Sequence, residues 1–185
     1  MLVFLVTGPT GAGKSSVARR LQQRGHHAVS LDSDRLLCAW TDAAGHPVAR
    51  PAEPDLAWLG LHRWTWNADR LDDIIAEAAS RRVDVLWLCG YAANALQLVD
   101  RFDQVFLLSI SRNTMIRRLR DRPVGHDFGY TEETLSAAST YYREFVSAWR
   151  QRGTVTIDAS QNLDRVVADL LLAALEAALD LPDRH

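Results

Sequence analysis

The residues with the plainest chemistry lie between 8 and 16, in the run Gly8-Pro9-Thr10-Gly11-Ala12-Gly13-Lys14-Ser15-Ser16. Gly8 through Ser15 fits G-x-x-x-x-G-K-[ST], the pattern of a loop that cradles phosphate groups. Each part has a physical task. The glycines let the backbone take positive φ and bring N–H groups up to phosphate oxygens. A helix starting behind the loop adds partial positive charge at the same point. Lys14 supplies a compact charge for the β- and γ-phosphates, and Ser15 a hydroxyl for Mg²⁺. The expected nucleotide contacts are therefore Gly8, Thr10, Gly11, Ala12, Gly13, Lys14, Ser15 and Ser16. Of the 21 basic residues in the chain, Lys14 is the only lysine and the rest are arginine. A composition biased toward Arg and Ala accounts for the scarcity of lysine, but not for the place of the survivor.

Other groups follow the same logic. Asp32-Ser33-Asp34 puts two carboxylates two residues apart behind a short apolar segment. One can hold Mg²⁺ through water, and the other can accept a hydrogen bond or a proton from a substrate hydroxyl. Either Asp taken singly also reads as the N-cap of a helix starting at Arg35. Gly90 lets backbone approach a ligand, and Tyr91 and Asn94 either line a substrate pocket or serve as loop and capping residues. Arg118 and Arg122 are four apart, hence on one helix face, where they can clamp phosphoryl oxygens and stack on a base. A solvated charged face is the competing reading for one or two of the arginines in 117–122. Asp158-Ala159-Ser160 makes a turn that can pack against a base. Arg63 sits beside Trp58, Trp64 and Trp66, in a stretch suited to a substrate-binding insertion, although the tryptophans themselves read as packing.

These groups can cooperate only if the fold brings them to one edge. Apolar runs at 2–6, 28–31, 83–88, 104–109 and 155–157 read as strands. Helical periodicity marks 14–24, 67–80, 112–121, 131–150 and 162–180, with Thr131 as an N-cap ahead of Glu132 and Glu133. Strands apolar throughout and alternating with helices imply a five-stranded parallel sheet covered on both faces, an α/β fold of three α/β/α layers. Ligands of such sheets bind outside the carboxyl ends of the strands, which is where each group named above falls. The stretch 36–68, with Pro47, Pro51 and Pro54, is expected to be irregular. Pro123, Gly125 and Gly129 are expected to make a mobile loop ahead of the helix at Thr131.

Composition bounds the function. A chain of 185 residues is one domain, 1–185, with room for small insertions. Basic and acidic residues number 21 and 23, a net charge of −2, which argues against a nucleic-acid binder. The two cysteines, Cys38 and Cys89, stand far apart and fit a reducing, cytoplasmic setting without a zinc site. The apolar run 2–6 is too short for a signal peptide, and the apolar segment 166–181 carries Asp169, Glu176 and Asp180, so no membrane partner is expected. The six histidines show no metal-ligand spacing. No acidic residue closes the strands ending at Leu88 and Ser109, which counts against motor ATPases and mechanical AAA machines. A Ras-type GTP switch needs a second lysine in [NT]-K-x-D, and the chain has none.

The phosphate loop resembles that of the small P-loop kinases, the superfamily of nucleoside monophosphate, shikimate and gluconate kinases. Asp32-Ser33-Asp34 is similar to the Asp-x-Asp element of shikimate kinases. That resemblance implies that Asp32 lies near Mg²⁺ and that Asp34 holds substrate hydroxyls. Arg118-x-x-x-Arg122 is similar to the lid arginines of nucleotide kinases, implying that Arg118 stacks on adenine and Arg122 contacts phosphate, with a lid over about 118–131. Ile157-Asp158-Ala159-Ser160 resembles their adenine-flanking loop, which implies nucleotide contacts at Asp158 and Ser160. The likeness covers the chain in element order and is specific at the phosphate loop. It departs after the third strand, where Cys89-Gly90-Tyr91-Ala92 replaces the Gly-rich run of shikimate kinases.

The expectation is a P-loop kinase fold and an ATP- and Mg²⁺-dependent phosphotransferase acting on a small-molecule acceptor. Lys14, Asp34, Arg118 and Arg122 would serve the transfer, Ser15 and Asp32 the metal. Asp34, Arg63, Gly90, Tyr91 and Asn94 would meet the acceptor. The alternative is a regulatory NTP-binding protein, or an NTPase without a small-molecule acceptor.

Overall fold

A computed structural model describes residues 1–121 and 131–180. Arg122, Pro123, Gly125 and Gly129, and with them most of the expected lid, lie outside the described residues.

The apolar runs form the strands β1 (Leu2–Thr7), β2 (His27–Ser30), β6 (Val85–Cys89), β7 (Gln104–Ser109) and β8 (Val155–Asp158). They make one sheet in the order β2-β6-β1-β7-β8, with every pairing parallel. Alternate residues of the central strand serve opposite faces. Phe4 and Val6 join a core with Val17 and Leu21 of α1 (Lys14–Gln23), Met115 and Leu119 of α4 (Arg112–Arg120), and Val167 and Leu170 of α6 (Leu163–Asp180). Val3 and Leu5 join a second core with Leu71 and Ile74 of α3 (Ala68–Ser80) and with Val146 and Trp149 of α5 (Glu132–Arg150). The three-layer α/β/α expectation is met. No helix among the described residues is long and apolar enough to cross a membrane.

The stretch 36–68 departs from expectation. It contains β3 (Cys38–Thr41), β4 (Pro47–Val48), β5 (Arg63–Trp66) and a short α2 (Leu56–Leu61). The strands form a separate antiparallel sheet, β4-β3-β5. Proline does not prevent this, because Pro47 is the first residue of an edge strand, where no ladder N–H is needed. The hairpin signal was local: Asp42 Oδ1 accepts the N–H groups of Ala44 and His46, and Gly45 turns the chain at φ 86°. Trp40 meets Trp58 of α2 edge-on at 5.0 Å, packing the sheet on that helix, and meets its cross-strand partner Trp64 at 5.7 Å. The helix considered at Arg35 does not form. Leu31–Ser33 is a single 3₁₀ turn, and residues 35–37 make one further turn, closed by the Cys38 N–H on Asp34 O at 2.9 Å, before β3.

Candidate nucleotide and acceptor site

The phosphate loop leaves β1 and enters α1 on the carboxyl edge of the sheet. Gly11 and Gly13 hold φ 77° and 97°, values a side chain would strain, and the Ala12 N–H closes the loop on Pro9 O at 3.1 Å. Gly8 is fixed by space instead, since a Cβ there would come within 2.7 Å of Leu108 O. The first turn of α1 points N–H groups with no intrahelical acceptor at the loop's mouth. Lys14 is buried and folds back over the loop, Nζ donating to Gly8 O at 3.0 Å and Pro9 O at 3.3 Å. Behind it, Ser30 Oγ donates to Ser15 Oγ at 3.3 Å, so the end of β2 lies against the start of α1.

The two carboxylates of the Asp-x-Asp element have different surroundings. Asp32 Oδ1 accepts the Tyr91 N–H at 2.9 Å, which ties the end of β2 to the turn after β6. Asp34 uses both oxygens. Oδ1 accepts the N–H groups of Leu36 and Leu37 at 2.8 and 3.0 Å, and Oδ2 accepts Nη2 and Nε of Arg70 at 3.1 and 3.2 Å. Burial alone would raise the Asp34 carboxyl. The Leu36 and Leu37 N–H groups and the Arg70 guanidinium outweigh it and hold the group below its ordinary 3.8. Asp34 therefore caps a loop turn and forms an ion pair. Arg70 escaped the sequence reading because 36 residues separate it from its partner and no local pattern links them.

Burial pushes the Cys38 thiol up to about 12, with Asp32 and then Asp34 adding to the rise. The Cys89 thiol, buried at the end of β6, is raised by burial and by Asp32, against the pull of Lys14. Burial also raises the Tyr91 phenol, helped by Tyr141 and Asp32 and opposed by Arg63. The Tyr91 ring lies 5.9 Å from Lys14 Nζ and meets Phe145 of α5 edge-on at 5.2 Å.

Three residues expected to touch substrate have structural contacts of their own. The Asn94 amide is a two-point clamp, accepting the Trp66 N–H and donating to Trp66 O, both at 2.9 Å. With the Ala93 N–H on Trp64 O at 2.7 Å, it docks the small sheet on the large one. Gly90 leaves room for packing, because a Cβ there would meet Leu31 Cβ at 2.8 Å and Trp66 Cζ2 at 2.9 Å. Arg63 Nη1 donates to Gly60 O at 2.8 Å and His62 O at 3.0 Å, covering the carboxyl end of α2, while its guanidinium lies 5.7 Å from the Tyr141 ring.

On the nucleotide side, Arg118 Nη1 donates to Gly11 O at 3.3 Å and Nη2 to Ala159 O at 2.8 Å. It joins the phosphate loop to the turn after β8. In that turn Asp158 accepts hydrogen bonds from Ser160, which lower its carboxyl, and Ser160's own N–H donates at 2.9 Å. Ser15 and Asp32 offer hard oxygen donors of the kind Mg²⁺ takes. Among the described residues, no group of three or more His, Cys, Asp or Glu gathers as a metal site.

Residues 5–134, well over half of the chain, match the family model described as "AAA domain". The chain belongs to that family. None of the curated proteins matches the sequence. Among solved structures, TT1252 from Thermus thermophilus is similar over 98% of each chain at 19% identity, with a TM-score of 0.59. A gluconokinase from Sinorhizobium meliloti 1021 matches at 20% identity and a TM-score of 0.53, over 96% of this chain and 95% of its own. A deoxyadenosine kinase from M. mycoides, solved with bound dATP, matches at 15% identity and a TM-score of 0.52, over 95% of this chain and all of its own. The fold is thus that of small P-loop kinases, as the phosphate loop and strand order imply. The family description names a domain and no activity. Strands β6 and β7 end in Cys89 and Ser109, without the acidic residue of motor ATPases.

Proposed function

We propose that the protein is an ATP-dependent kinase that transfers the γ-phosphoryl group to a small-molecule acceptor. The observation that carries this reading is the meeting at one sheet edge of the phosphate loop, the Asp32-to-Tyr91 tie and the Arg118 link. Phosphoryl transfer needs positioning and charge neutralisation more than covalent help. The loop amides and Lys14, which is already folded over the loop carbonyls, neutralise the β- and γ-phosphates. Arg118 holds the loop in register with the base-flanking turn at Asp158 and Ser160. Ser15 and Asp32 would hold Mg²⁺, which supplies further charge neutralisation on the phosphates. The acceptor lies between Asp32, Tyr91 and the small sheet, with the 36–68 insertion as its outer wall. Asp34 acts at one remove, by holding the turn that follows it and tying that turn to Arg70 of α3. The gluconokinase and deoxyadenosine kinase likenesses support a kinase without selecting an acceptor.

The test uses the single lysine. A lysine-directed reagent should modify Lys14 and the N-terminal amine alone, and ATP should protect Lys14. ADP release is then followed across nucleosides, nucleotides, sugars and sugar acids. Protection together with acceptor-dependent ADP release is expected. Protection with no acceptor response would favour a regulatory nucleotide-binding protein.

A further inference from the structure

We infer that Ser30 is a positioning residue for the metal–nucleotide site, holding the Ser15 hydroxyl in place for a divalent cation. This deepens the reading above by naming a residue that serves it, and it rests on the nucleotide site of that reading rather than on any acceptor.

The Ser15 hydroxyl is the hard oxygen that the phosphate loop offers Mg²⁺. It stands in the first turn of α1 and is exposed. A serine on a helix commonly turns its hydroxyl back to the carbonyl four residues before it. For Ser15 that carbonyl is Gly11 O, which lies in the loop ahead of the helix and receives Arg118 Nη1 at 3.3 Å. Among the described residues, the one hydrogen-bond partner of the Ser15 hydroxyl is Ser30 Oγ, which donates to it at 3.3 Å. Its orientation therefore comes from β2 and not from its own helix.

The direction of the bond matters. A serine hydroxyl has one proton and two lone pairs. Ser30 spends its proton on one lone pair of Ser15. Ser15 keeps its second lone pair for a cation and its own proton for a phosphate oxygen. Without Ser30 the hydroxyl turns among its staggered rotamers, and binding a cation must then fix it. Ser30 can hold another group because its own backbone is fixed. It is the last residue of β2, in parallel register with Cys89 of β6, which in turn pairs with Val6 of β1 just ahead of the phosphate loop. Its carbonyl receives the Ser33 hydroxyl at 2.9 Å across the turn that carries Asp32. Ser30 is thus joined to both residues that would hold Mg²⁺, to Ser15 by its hydroxyl and to Asp32 through one 3₁₀ turn.

The experiment titrates Mn²⁺ as a probe into the ADP-bound protein and reads its EPR signal, so neither acceptor nor turnover is needed. Ser30→Ala should raise the Mn²⁺ concentration at half-saturation by about tenfold. That is the lower end of the range for losing a group that orients a metal ligand, as suits a long, uncharged bond. Ser30→Thr keeps the hydroxyl and should stay near the wild type, while its isostere Ser30→Val should behave as Ser30→Ala. Ser33→Ala disturbs the same turn without touching the hydroxyl pair and should leave the titration unchanged. In a Ser15→Ala background the Ser30→Ala step should add nothing, since the group it orients is gone. Thermal melting checks that the variants are folded, and Ser30→Val against Ser30→Thr decides the matter if Ser30→Ala is not. An unchanged half-saturation in Ser30→Ala and Ser30→Val overturns the inference. So does an undiminished effect of Ser30→Ala in the Ser15→Ala background, or a comparable shift in Ser33→Ala. Failure of the kinase reading looks different: a titration that responds to Ser30 as expected, with no phosphoryl transfer to any acceptor, removes the kinase and keeps the positioning role.

Discussion

The phosphate loop and the small β4-β3-β5 sheet are built by opposite means. The loop is held by its own backbone, through two glycines at positive φ, a Pro9–Ala12 closure and a lysine on two loop carbonyls, all within seven residues. The small sheet is held from outside. Asn94, 28 residues beyond Trp66, clamps its end, and the Ala93 N–H meets Trp64 O beside it. A locally specified loop can be read from sequence and tolerates drift elsewhere in the chain. A wall assembled from distant side chains can change its contents while the fold stays, which suits the acceptor-facing role proposed for it.

If this division holds, changes in the loop should alter chemistry and leave stability alone, and changes at the sheet junction should do the reverse. The largest effect is expected from Lys14→Ala, which should lower kcat by about a hundredfold or more, the scale for losing one preorganised charge on a transition state. Its melting temperature should stay near that of the wild type. A stability loss comparable to the catalytic loss would mean that Lys14 also serves the fold.

Next come the junction residues. Asn94→Ala leaves the N–H and C=O of buried Trp66 without partners and should cost about 1–3 kcal/mol in denaturant unfolding. Gly90→Ala drives a methyl into Leu31 and Trp66 and should cost about 1–3 kcal/mol. Both should leave ATP protection of Lys14 unchanged. Weakened protection in either variant would join the two regions that the comparison separates.

The smallest effect is the pH dependence of the Asp34–Arg70 pair. The folded carboxyl lies below its ordinary 3.8, so its contribution is complete above about pH 4 and fades as pH falls through the lower folded value. The stability difference between wild type and Arg70→Met should be greatest above that point and shrink in acid. A difference constant down to the acid transition would show that the ion pair adds nothing to the fold.

The parallel sheet was legible because its strands are apolar throughout and alternate with periodic helices, a pattern that burial on both faces imposes directly. The Asp-x-Asp pair was legible as chemistry, but its division of labour was not. Nothing within a few residues of Asp34 announces Arg70, and nothing near Asn94 announces Trp66. The antiparallel sheet was obscured by its prolines, although the turn Asp42-Ala43-Ala44-Gly45 between two β-prone runs carried the signal.

By itself the sequence determined the phosphate loop, the place of the one lysine and the layered fold. These depend on φ preferences, hydrophobic period and short-range spacing, quantities written residue by residue. The tertiary structure alone decided that Asp34 is paired, that Asn94 and Gly90 serve packing and that Arg118 spans two loops. Those outcomes depend on which distant groups compete for the same oxygen or the same space, and no local pattern encodes that competition.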